Sequence, residues 1–184
     1  MIDRVYAALA DWLTPAGDVR WRWELKNKVL RQAGLKIGQD VAVDRGFEWL
    51  AEAGTVTLDD HVVIGRNVKI YNFSNVSIGS FCMFAGEVLI ANGGHDTSTF
   101  EPFSGALSIG RGCWIGTGVK IVGANLEIGD NAVLGAGALV NKSVPPGAIV
   151  AGVPARILGY RELPEKVWHL GGKWFSPVNF DLMK

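Results

Sequence analysis

The sequence predicts an all-β core, a parallel β-helix of six-residue units, entered through helices and followed by a short extension. Three observations predict it. An apolar residue returns every six positions through most of the chain, and the fifth residue of each unit is mostly small or β-branched. The 24 glycines are spread through the middle of the chain rather than gathered in a linker, which suits many tight corners.

The repeat is read from four trios: Leu58, Ile64, Ile70; Ile78, Phe84, Ile90; Ile109, Ile115, Ile121; and Ile128, Leu134, Val140. Within a trio the step is six; between trios it is eight, nineteen and seven. Three units therefore act as one turn, and Ile37-Gly38 and Val43-Asp44 read as an earlier, imperfect start. A period of six fits neither an amphipathic helix nor a hairpin strand. It fits short strands joined by corners, coiling so that equivalent residues stack. The fifth residues Val62, Val68, Cys82, Val88, Cys113, Val119, Ala132 and Ala138 would then point inward at the corners. Neighbouring coils satisfy one another's backbone groups, and only the two ends present raw sheet edges.

The chain divides into a helical segment (1–36), the coil (37–157) and an extension (158–184). Residues 2–13 and 20–34 have amphipathic patterns, with Gly34 as a C-terminal stop. The extension has mixed polarity and room for one short helix. Six of the seven tryptophans lie outside the registered units and read as packing of caps and subunit contacts. Lys+Arg and Asp+Glu are both 18, so no global field attracts nucleic acid or an anionic membrane. No apolar run reaches the roughly 18–20 residues of a membrane span. Charges at Asp3, Arg4 and Asp11 interrupt the layout of a signal peptide, and the expected compartment is the cytoplasm. Cys82 and Cys113 fall in one inward column, one coil apart, within reach of a disulfide but read as reduced core thiols; two thiols make no metal site.

The count breaks once, at IANGGHDTSTF (90–100), where about a dozen polar residues intervene before Ile109. The register makes His95 the sixth residue of its unit, pointing outward from a rigid wall beside a loop excursion at 96–108. Gly93 and Gly94 allow close approach of the backbone, and histidine accepts a proton near neutral pH. His95 is therefore a candidate general base; His61 and His169 have no comparable setting. Trp114 is also a sixth residue, in an outward apolar column with Val63, Met83 and Val133. Such a stripe calls for a partner, and cyclic association around a three-fold axis suits a triangular section.

GGHD at 93–96, CWIGTGVKI at 113–121 and IGDNAVLGAGALVNKSVPPGAIVAGVPARIL at 128–158 resemble the hexapeptide-repeat acyltransferases. The likeness is to their sugar O-acetyltransferases: the galactoside, maltose and nodulation enzymes and those of exopolysaccharide pathways. It implies a left-handed parallel β-helix and acetyl-CoA-dependent transfer to a carbohydrate hydroxyl. It also implies a homotrimer with active sites between subunits. By the same resemblance His95 is the base, and Thr117 offers a backbone N–H to the thioester oxygen. Trp114 and Asp96 meet the acceptor side. Ala136, Asn141, Lys142 and Arg156 contact coenzyme A, with no metal required. Asn141-Lys142 replaces the usual Thr-Lys pair. Gly159 stands where some relatives have an arginine, and VGANLE holds one residue more than a plain step.

Three other readings fit parts of the pattern. γ-Class carbonic anhydrases share the fold but use three zinc-binding histidines, whose spacing is missing here. A non-catalytic binding module would be expected to lose His95, Lys142 or Arg156. An amino-sugar N-acetyltransferase would lean less on His95.

Overall fold

The computed structural model describes residues 20–50 and 53–161. It is a left-handed parallel β-helix of about six turns, with one helix at its entrance. The first helix expected from sequence (2–13), the extension beyond 161 and His169 lie outside the described residues.

Each turn has three short strands, so the stack has three flat faces. The leading apolar residues stack in register on each. The first face runs Ile37, Leu58, Ile78, Ile109, Ile128. The second runs Val43, Ile64, Phe84, Ile115, Leu134, Val150. The third runs Trp49, Ile70, Ile90, Ile121, Val140. All but Ile37 and Trp49 are buried, as are the eight corner residues from Val62 to Ala138. Each large aliphatic side chain so buried stabilises the stack by about 1.5–3 kcal/mol relative to exposure. The early start at Ile37 and Val43 is a true first turn, completed by Trp49, whose bulk hid it from an aliphatic count.

The corners use glycine for two reasons. At Gly116 a Cβ would stand 2.7 Å from the amide nitrogen of Ala136 in the next coil, so no side chain fits. Two residues on, the chain needs a left-handed φ, which Gly118 (+69°) adopts freely. Asn67 and Glu87 hold the same conformation at that corner in earlier coils, which is why glycine alone does not trace the repeat.

The helix Arg20–Gln32 covers the open edge of the first coil. It ends where sequence placed its stop. Leu35 N–H donates to Leu30 O (3.2 Å) and Gly34 N–H to Arg31 O (3.1 Å), with Gly34 at φ +101°. This paired closure satisfies two carbonyls that the helix end would leave bare. Its side chains serve the sheet edge. Asn27 Nδ2 donates to Val41 O (2.8 Å), Lys26 Nζ to Asp44 O (3.1 Å), and Arg31 to Ile37 O and Gly38 O (3.0 and 2.8 Å). Donors thus meet carbonyls that have no coil below them. At the far end the strand Ala148–Gly152 turns back as Ala155–Tyr160, antiparallel, and closes the second face.

Candidate active site

His95 leaves the wall earlier than the six-residue count implies. After Leu89–Ala91 the chain reaches Asn92, whose buried side chain donates to Ser74 O (3.0 Å) and Asn75 O (3.2 Å) and accepts from Ser74 N–H (3.3 Å). That asparagine follows Ala91 as Asn72 follows Tyr71 in the coil before, and both are fully buried at the corner. Gly93–His95 then runs outward and pairs antiparallel with Pro102–Ser104, and Gly105 N–H donates back to Asn92 O (3.0 Å). The excursion is thus a hairpin over 93–104 rather than a loop over 96–108, and Leu107–Ile109 is already back in register. Gly94 cannot hold an inward corner position, and the polar run gives the core nothing to bury.

On this hairpin His95 is exposed, opposite Pro102, with no hydrogen-bond or charged partner among the described residues. Asp96 organises the tip. One carboxylate oxygen accepts from Ser98 N–H (2.8 Å), Ser98 Oγ (2.5 Å), Thr99 N–H (2.9 Å) and Thr99 Oγ1 (3.3 Å). The Ser98 hydroxyl, then the N–H groups of Thr99 and Ser98, hold its carboxyl down at about 2. Asp96 N–H donates to Glu101 O and Phe100 N–H to Asp96 O, both at 2.9 Å. The residue therefore braces the turn beside His95, leaving its second oxygen for other partners.

A second group lies elsewhere. Trp114 is half-exposed on the second face, between Met83 and Val133, so the outward apolar column read from sequence exists. Thr117 and Ala136 occupy the same corner in consecutive coils, between the second and third faces, and both are exposed. Thr117 O accepts from Gly137 N–H (2.8 Å), whereas the N–H groups of Thr117 and Ala136 have no partner among the described residues. Two amide donors without a partner among the described residues thus lie one coil apart at this corner. Arg156 follows on this edge, paired with Ala151 on the terminal hairpin and exposed, with Nη1 donating to Ala155 O (2.9 Å).

Asn141 and Lys142, both exposed, lie on the other edge of the third face, directly after Val140. Because Ile90, Ile121 and Val140 stack in one column, this is also the edge from which the His95 hairpin departs. The fold brings Thr117, Ala136 and Arg156 to one edge, and His95, Asp96, Asn141 and Lys142 to the other. The third face separates them: Thr117 to Val122 is five residues of chain, about 16 Å at the strand rise.

The aromatic residues beside the hairpin, Phe73 and Phe103, were not singled out by sequence reasoning. The signal for Phe73 is the eight-residue step from Ile70 to Ile78, which carries it in its extra length, whereas Phe103 lies in the nineteen-residue step from Ile90 to Ile109. Cys82 and Cys113 are buried free thiols donating to Gly110 O (2.9 Å) and Gly129 O (3.2 Å), well away from either edge. His61 stacks on Phe81 and faces Asp40 at 3.8 Å. Among the described residues no three His, Cys, Asp or Glu side chains gather as a metal site, and no helix is long and apolar enough to cross a membrane.

Stacked hexapeptide coils with a histidine hairpin leaving one edge are the architecture of a β-helical acyltransferase. No family model matches the chain. Curated relatives do: WcaF of Escherichia coli K12, by name a colanic acid biosynthesis acetyltransferase, is 30% identical over 85% of this chain and 84% of its own length. Galactoside O-acetyltransferase of the same organism is 31% identical over 79% of this chain and 72% of its own. Among solved structures, galactoside acetyltransferase in complex with coenzyme A superposes with a TM-score of 0.65 at 25% identity, covering 86% of this chain and 80% of that one. A maltose O-acetyltransferase from Clostridium difficile 630 superposes at 0.70 with 23% identity, over 88% and 87%, a likeness of fold. The chain belongs to the hexapeptide-repeat acetyltransferases, and it is an enzyme of acyl transfer.

Proposed function

We propose that the protein transfers an acetyl group from acetyl-CoA to a hydroxyl of a carbohydrate or glycan precursor by direct attack, with His95 as general base. The observation that carries the proposal is the exposed imidazole, without a partner among the described residues, on a braced hairpin in a chain 31% identical to a galactoside O-acetyltransferase. The acyl donor suits the other residues. Thr117 and Ala136 offer free N–H groups one coil apart, matching a thioester oxygen and a pantetheine amide. Lys142, with Asn141 beside it, and Arg156 on the opposite edge are exposed cations for phosphate. Trp114 supplies an apolar wall, and the open oxygen of Asp96 can accept from an acceptor hydroxyl.

Each residue has a defined task. His95 takes the hydroxyl proton as the acceptor oxygen bonds to the carbonyl carbon, and returns it to the departing sulfur as the C–S bond breaks. A placed imidazole contributes about 10²–10⁴-fold to such a step. Thr117 N–H stabilises the negative charge that develops on the carbonyl oxygen, worth about 3–4 kcal/mol where a donor is pre-aimed. Neither cysteine takes part.

The two residue groups occupy opposite edges of the third face, so one chain cannot complete the site. One protomer's His95 edge set against its neighbour's Thr117 edge would complete it, and repeating that contact closes a ring. A homotrimer buries the Met83–Trp114 column in the same way.

The test is release of coenzyme A from acetyl-CoA with a panel of sugars, sugar nucleotides and amino sugars, for wild type and His95→Ala. A fall of about 10²–10⁴-fold in kcat on a hydroxyl acceptor is expected. Wild-type turnover by His95→Ala would remove the base, and turnover confined to amines would replace O-transfer by N-transfer.

A further inference from the structure

We infer that Phe73 seats the acceptor. Its half-exposed ring offers an apolar platform on the imidazole's side of the hairpin, and the ligand it fits is the C–H face of a pyranose. This deepens the reading above and rests on it.

A lone exposed phenylalanine is ordinary on a protein surface; Phe73 is set apart by how it is held. The residue before it, Asn72, is fully buried. Its amide group donates to Leu50 O (3.1 Å) and to Gly54 O, and its oxygen accepts from Leu50 N–H (2.8 Å). The residue after it, Ser74, is bonded through both backbone groups to the side chain of Asn92. Phe73 is therefore clamped between two anchored neighbours, in the two extra residues of the step from Ile70 to Ile78, and still leaves 51% of itself in solvent. Ordering an apolar ring into water serves the fold little.

Its position relative to His95 follows from Gly93. A Cβ on Gly93 would lie 3.0 Å from both Cβ and Cδ2 of Phe73, so the ring rests on that residue. Gly93 and His95 are two apart on one strand and share a face of the hairpin. Phe103 is paired with Gly94 and lies on the other face, where a Cβ on Gly94 would meet its Cζ at 3.4 Å. Of the two rings, only Phe73 shares the imidazole's side. The spacing of two strand residues, about 7 Å, is close to the width of a pyranose. A sugar lying on Phe73 then brings a rim hydroxyl to His95. An aromatic face attracts the partly positive C–H groups of a ring without competing for its hydroxyls, which leaves the reacting one to the base.

The test separates rings from open chains. Steady-state transfer would be measured for wild type, Phe73→Leu and Phe73→Trp, with methyl galactopyranoside and methyl glucopyranoside against galactitol. Phe73→Leu should raise KM for the glycosides about three- to tenfold. KM for acetyl-CoA, transfer to galactitol and the oligomer mass should stay unchanged, and Phe73→Trp should retain the wild-type KM. Saturation-transfer NMR on the glycosides reads the same contact without turnover: ring C–H signals strong with wild type and with His95→Ala should fade with Phe73→Leu. Equal losses on ring and open-chain acceptors, a changed oligomer mass, or undiminished C–H saturation would overturn the assignment. A catalytically intact His95→Ala would instead overturn the base while leaving the platform standing.

Discussion

Replacing Gly93 by alanine tests whether the hairpin's geometry, rather than the mere presence of its histidine, supports transfer. The added methyl would stand 2.7 Å from Phe103 O and 3.0 Å from two carbons of Phe73. Against normal contacts of about 3.5–4.0 Å, the clash amounts to roughly half an ångström or more on two sides. Phe103 O belongs to the opposite hairpin strand, and Phe73 is clamped, so the hairpin must splay. Such overpacking costs about 1–3 kcal/mol, and it falls on the strand that ends in His95. Because displacing a reacting group by 1 Å can cost about 10²-fold, kcat should drop about 10- to 100-fold. The melting temperature should hold, since the hairpin lies outside the stacked core. The control is Gly94→Ala, whose methyl would meet only the far end of the Phe103 ring at 3.4 Å and should leave activity near wild type. Coenzyme A release and thermal unfolding, run side by side, measure both. If Gly93→Ala turned over at the wild-type rate, or if the two variants lost activity equally, the steric reasoning would fail.

Two further outcomes are expected. Lys142→Ala and Arg156→Ala should each raise KM for acetyl-CoA about tenfold or more, the order of one charged hydrogen bond, with kcat retained. The deficit should shrink at high salt, where exposed charges are screened; a KM that stays put would free these cations from the donor. For Asp96 the sign follows from a folded-state pKa held at about 2 against an ordinary 3.8. The support it gives the hairpin tip is fully present above about pH 4 and disappears as pH falls through about 2. Slow exchange of the Ser98 and Thr99 amides should therefore persist at pH 3 and be absent in Asp96→Ala, and a carboxyl titrating at its ordinary value by NMR would refute it.

The coil was legible because its physics is local and repeated. Every six residues one side chain must fill the axis and another a corner, so Ile64, Ile115 and Val119 declare their roles through spacing alone. The first turn was half-legible: Ile37 and Val43 fit, whereas Trp49 leads a strand that an aliphatic template passes over. The helix stop at Gly34 was legible for the same local reason, since left-handed closure favours glycine.

The geometry of the candidate site was not legible in the sequence. Counting in sixes carried the wall one strand too far and set His95 on a rung. Gly94 at a corner position and the polar run after it hinted at departure, but the anchor is Asn92, whose role depends on bonds to Ser74 and Asn75, distant in sequence. The role of Asp96 was equally hidden, because a carboxylate that braces its own turn and one that greets a substrate look alike in a string of letters. Nor could spacing reveal that Thr117 and His95 occupy opposite edges. They are 22 positions apart in sequence, little more than one turn, yet a triangular coil sends residues a third of a turn out of phase to different corners. Such a fold holds His95 and Thr117 rigidly and still keeps them apart, so on the proposed mechanism the distance between them would be governed by how one copy of the chain meets the next.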